Sequence, residues 1–86
     1  MRWQRSQRVL WRSAPGYLVL AHLDGDTLEV EGPGCDVWAR LGGWIPEEEL
    51  TAALAAQYGA DEQVVSPDVR SLLEELHAQG YVDRAD

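Results

Sequence analysis

The stretch Ser66–Val82, SPDVRSLLEELHAQGYV, constrains this fold more than any other, because it reads as a helix with both ends specified. The Ser66 hydroxyl is placed to accept from an orphan amide of the first turn. Pro67 fits the first helical position, where a missing N–H costs nothing, and Asp68 lies near the positive end of the helix dipole. Val69, Leu72, Leu73 and Leu76 recur at helical spacing and make one apolar stripe. Gly80 predicts a left-handed C′ residue, with Tyr81 folding back as the apolar partner of that cap. A stripe this well defined requires a surface to lie against, and the rest of the chain must supply it.

Eighty-six residues allow one domain with a single small core. Residues 1–8 are polar apart from Trp3 and Met1, and are expected to form a flexible segment. The ordered domain is then expected over residues 9–82, with residues 83–86 as a tail. Val9, Leu10 and Trp11 begin a short strand that Ala14-Pro15-Gly16 ends. Tyr17–Leu23 is rich in strand formers with few polar positions, which predicts a strand in the middle of a sheet. Asp24-Gly25-Asp26 is a hairpin signal, since these residues tolerate tight-turn dihedrals. In the third strand, Thr27–Glu31, Leu28 and Val30 point one way and Thr27, Glu29 and Glu31 the other. That alternation predicts a half-buried edge strand with acids that discourage casual pairing.

Gly32-Pro33-Gly34 turns the chain into a short helix over about 35–41, with Val37, Trp38 and Leu41 inward and Gly42-Gly43 as the stop. Pro46 opens a second helix, PEEELTAALAAQYG, with Leu50, Leu54 and Tyr58 as its buried side and Gly59 as its cap. Strands first and helices after predict an α+β domain: a three-stranded antiparallel sheet followed by three helices. The same inventory describes a winged helix-turn-helix, a fold that serves DNA binding or peptide binding equally well.

The composition narrows the chemistry. Arg2, Arg5, Arg8 and Arg12 are the only charged side chains before His22, whereas fifteen acids face Arg40, Arg70 and Arg84 from Asp24 onward, for a net charge of −8. An acidic body repels phosphate backbones, so no nucleic-acid partner is expected. Cys35 is alone, which rules out an internal disulfide and fits a reducing cytoplasm. No apolar run is long enough for a bilayer, and residues 1–20 lack a signal-peptide core. His22 and His77 have no partners at metal-ligand spacing, the glycines form no nucleotide-binding pattern, and no base stands near Cys35 in sequence. No catalytic residue, metal or cofactor is expected, and the chain is read as a non-enzyme.

Three segments in order, GPGCDVW after the hairpin, then EEELTAALAAQYG, then DVRSLLEELHAQGYV, make the chain resemble the PqqD-like family over about 9–82. These are the leader-recognition domains of ribosomal peptide natural-product (RiPP) biosynthesis. RVLWRSAPGYLVL leading into the hairpin is most similar to the stand-alone recognition component of split lasso peptide B proteins. Cys35 stands where the family usually has a small residue such as Ala, and Ile45 where it has a Thr or Ser cap. The resemblance implies that a precursor's leader peptide adds as a strand beside the third strand, in a groove walled by the third helix. Thr27, Leu28, Glu29, Val30 and Glu31 would supply main-chain bonds and floor. Val69, Leu72 and Leu76 would form the wall, with Asp68 and Glu75 at the rim for basic leader residues. The family also implies a leader of Tyr-x-x-Pro type, presented to a separate cysteine-protease leader peptidase and to the lasso cyclase. The competing reading is a winged-helix DNA-binding transcriptional regulator. Its recognition helix should expose Arg, Lys, Asn or Gln, whereas the third helix offers Arg70, Glu74, Glu75 and His77.

Overall fold

A computed structural model describes residues 1–86. Three strands, β2 (Val9–Ala14), β3 (Tyr17–His22) and β4 (Thr27–Glu31), form an antiparallel meander in the order β2-β3-β4. The middle strand is the apolar one, as its composition predicts, and the acid-decorated β4 lies at an edge. Leu18 and Leu20 on β3 and Val30 on β4 face inward and are buried. Their cross-strand partners hold the register, with Leu18 opposite Val30 and Leu20 opposite Leu28.

The helices are α1 (Pro33–Ala39), α2 (Glu47–Tyr58) and α3 (Glu62–Ala78). They cover the inner face of the meander, where Val37, Trp38, Leu50, Leu54, Val69, Leu73 and Leu76 join one apolar cluster with the inward strand residues. Gly34 permits a close approach of α1 to β4, since a Cβ there would meet Val30 Cγ1 at 2.5 Å. The end of α3 is as its sequence predicts. Gly80 has φ +82°, the Tyr81 N–H donates to the Leu76 carbonyl at 2.9 Å, and Tyr81 is fully buried beneath the cap.

The start of α3 differs from the expectation. The helix begins one turn earlier, with Asp61 as N-cap accepting from the Gln63 N–H at 2.8 Å, so Pro67 lies inside it. Two N-terminal signals follow one another here, and the earlier one governs. Pro67 then removes one backbone bond, which Val65, Val69 and the stripe beyond outweigh by joining the core.

The chain ends also differ. The segments expected as a flexible start and a tail form β1 (Arg2–Arg5) and β6 (Val82–Ala85), with the two-residue β5 (Ile45–Pro46) completing a second sheet, β5-β1-β6. Arg2 pairs with Ala85 and Arg5 with Val82. The reason is Trp3, which is 0 % exposed. Its indole N–H donates to Glu47 Oε1 at 3.0 Å, and Glu47 Oε2 accepts from the Arg70 guanidinium, also at 3.0 Å. One carboxylate thereby joins β1, α2 and α3. Arg5 is fixed too: its Nε donates to the Trp38 carbonyl at 2.9 Å, and its guanidinium lies over the Trp11 and Trp38 rings. Burial lowers the Arg5 pKa.

Candidate functional site

The inner side of β4 and the facing side of α3 leave a groove that the core does not fill. Because β4 pairs only with β3, its other edge carries unpaired backbone groups. Between that edge and α3 lies a recess of about 260 Å³, lined by Leu28, Val30, Gly34, Leu72 and Leu76 with Glu29, Glu31 and Glu75 at its rim. The geometry follows from two periodicities. Alternation on β4 sends Leu28 and Val30 inward, and helical spacing on α3 puts Leu72, Glu75 and Leu76 on the side facing them.

The expected site residues divide in three ways. Val30, Val69 and Leu76 are at most 9 % exposed, so they are walls sealed into the core. Leu28 and Leu72 are half-buried, and offer apolar surface to an incoming chain. Asp68 and Val69 do not line the recess along β4. They line a second one, of about 170 Å³, with Pro33, Val37, Leu54, Tyr58, Val64, Val65 and Leu72. Thr27 lines neither. Leu72 is the wall common to both recesses.

A helix starting at Ser66 would not form the second recess: Val64 and Val65 reach the site only because α3 starts at Glu62. The signal that locates them is the Asp61 cap, with the two valines in the first turn after it. Tyr58 closes the far side, its hydroxyl donating to the Asp36 carboxylate. Tyr58, expected on the buried side of α2, is 44 % exposed; partial desolvation of its phenol, then the bond to Asp36 and its charge, push its pKa from 10.0 up to about 12. Because the folded value lies above the unfolded one, this contribution to stability is complete below pH 10 and is lost as pH rises through about 12. Phenolate absorbance should therefore show one tyrosine titrating near 12 that disappears in Tyr58→Phe. A wild-type curve superimposable on the variant's after scaling for one phenol would refute the bond.

Electrostatically the groove is one-sided. Glu29, Glu31, Asp68 and Glu75 border the two recesses, and no Arg or Lys lines either. Arg70, one turn from the rim, is already committed to Glu47 and to Glu74. Cys35 sits beneath β4 with its thiol donating to the Val30 carbonyl at 3.4 Å, and its pKa is raised by burial and by Asp36. A thiol held protonated in this way is a poor nucleophile. The helix start does not activate it. The arrangement is suited to holding an extended chain: open backbone groups on one side, apolar recesses on the other, and carboxylates at the rim.

The family model described as coenzyme PQQ synthesis protein D (PqqD) matches residues 16–82. Among solved structures, TbiB1 in complex with the TbiA(beta) leader peptide superposes with a TM-score of 0.84. It is 28% identical in sequence, over 96% of this chain and 99% of that one. No curated protein matches the chain.

Proposed function

This chain belongs to the PqqD family, and from that premise we propose that it binds the leader peptide of a ribosomally synthesised precursor, of the lasso class. The leader adds as a strand beside Thr27–Glu31 and packs its side chains against α3. The observation that carries this reading is the unpaired edge of β4, with a recess between that edge and α3. TbiB1, similar along nearly its whole length, has a leader peptide as its bound partner. Main-chain bonds give affinity that tolerates sequence, and the recesses set register. Two recesses on either side of Leu72 suit two anchors a few residues apart, such as the aromatic and proline of a Tyr-x-x-Pro leader. The acidic rim favours a basic leader, each exposed pair contributing about 1 kcal/mol or less.

Calorimetric titration with leader peptides encoded beside the gene tests the reading, together with amide shifts on the labelled protein. The expected shifts cluster on Thr27–Glu31 and on α3 from Asp68 to Leu76. Shifts confined to α2, with β4 silent, would move the site elsewhere. We further propose that the bound leader is handed to a separate cysteine-protease leader peptidase and to a cyclase, this chain performing no chemistry itself. Cys35→Ala should then leave leader binding and leader removal by the partner peptidase within about twofold of wild type, because a protonated thiol under a strand acts as a small apolar side chain. Loss of processing with the fold intact would assign the thiol a chemical role.

A further inference from the structure

The meander has a second face, away from the helices, which meets the groove only along β4, where Glu29 borders both. Leu10, Arg12, Ala14, Tyr17, Val19 and Ala21 line a shallow hollow there of about 420 Å³, with Leu10 66 % and Tyr17 41 % exposed. No element of the chain covers it. An apolar surface of this extent on a small domain marks a contact site, and the strand register indicates what fits. Arg12 is opposite Val19 on β3, and Val19 is opposite Glu29 on β4. The three therefore form one row across the sheet, cation at one margin, valine at the centre, carboxylate at the other. Neither Arg12 nor Glu29 takes part in an ion pair within the chain.

Such a row is complementary to itself under one two-fold rotation. With the axis lying between the two sheets, parallel to β3 and passing over Val19, Arg12 of one copy meets Glu29 of the partner subunit and the reverse, while Val19 meets Val19 of the partner subunit. An axis running across the strands instead would set like charges against each other. In the flanking rows Tyr17 and Ala21, on the middle strand, would be met by their own equivalents, while Leu10 would face Thr27 of the partner subunit and Ala14 would face Glu31 of the partner subunit. Packed sheets rotate by about 30°. Arg12 and Glu29 lie only about 4.8 Å from the axis, one strand spacing, so that rotation displaces them by about 2–3 Å, within an arginine's reach.

We propose that this face joins two copies of the chain into a symmetric dimer, with Arg12–Glu29 pairs on both sides of an apolar centre. The dimer goes beyond the leader-binding reading and does not depend on it. The recess against α3 lies on the opposite face of the sheet and stays open in both subunits.

Sedimentation equilibrium of the full chain over a wide concentration range is the test. The wild-type chain should pass from its 9.6 kDa monomer to twice that mass as concentration rises. Val19→Glu, which sets two carboxylates together on the axis, should weaken association by about tenfold or more, as should Arg12→Glu and Glu29→Arg alone. A one-to-one mixture of the Arg12→Glu and Glu29→Arg chains should associate again, because opposite charges face each other at both margins. These two positions are exposed, so the charge-swap pair remains informative if Val19→Glu does not fold. A wild-type chain that stays monomeric at every concentration overturns the proposal, as does failure of the mixture to recover, since either leaves the face to a different partner. Leader affinity of Val19→Glu is measured in parallel. If no chain binds leader, the leader reading fails and the dimer stands or falls on mass alone.

Discussion

Trp3→Ala is expected to lower the free energy of unfolding by about 3–5 kcal/mol, the usual cost of truncating a buried aromatic. For a domain of this size, whose whole stability is on the order of 5–10 kcal/mol, that is a large share. The side chain is 0 % exposed, packs edge-on against His77, and supplies one of the two donors to Glu47. Its loss leaves a cavity and also a half-satisfied carboxylate between α2 and α3. Urea denaturation followed by circular dichroism should show a lower midpoint with the slope unchanged. Trp3→Phe keeps most of the ring and loses only the indole donor, so it should cost about 1–2 kcal/mol. Equal midpoints for wild type and Trp3→Ala would mean that β1 is not part of the cooperative core.

Leu72→Ala should weaken leader binding by about tenfold or more, corresponding to at least about 1.4 kcal/mol, because this side chain lines both recesses. Its cost in stability should sit at or below the lower end of the roughly 2–5 kcal/mol seen for buried leucines, since Leu72 is only half-buried. Glu75→Lys separates binding from folding. The position is exposed near the end of α3, so unfolding should hardly change, while affinity for a basic leader should fall and its salt dependence should flatten together. Glu29→Pro addresses the backbone, removing an N–H from β4, and is interpretable only with the fold verified. Unaltered affinity in both Leu72→Ala and Glu75→Lys would be incompatible with a leader lying between β4 and α3.

Much of this site is legible in the residues because its two walls are local structures. Alternation in Thr27–Glu31 assigns Leu28 and Val30 to the inside, and the Gly80-Tyr81 cap fixes where α3 stops. The edge position of β4 follows from its acids and from a middle strand too apolar to be solvated. What sequence could not supply is pairing between distant segments. The segment around Trp3 has no second buried apolar residue to set a period, and its partners are β6 and β5, far along the chain. Glu47 likewise reads as one of three acids in a solvated first turn, and only the fold brings Trp3 and Arg70 to it. At α3 the cause is a different one, two competing helix starts. Ser66-Pro67 is a sound start signal overridden by an earlier one, which concealed Val64 and Val65 and with them the second recess.

The pairing of β1 with β6 also governs when the domain can form. The meander and its turns involve neighbours in sequence and need little chain closure, so they can assemble as soon as they are made. Trp3 has no such option. Its sheet is incomplete until Val82–Ala85 can reach Arg2–Arg5, which requires nearly the whole domain to have left the ribosome. Until then the indole lacks the strand that completes its sheet, and the growing chain holds an unpaired β1 beside uncovered apolar surface. Synthesis therefore passes through a state vulnerable to aggregation, which ends when the last strand closes against the first.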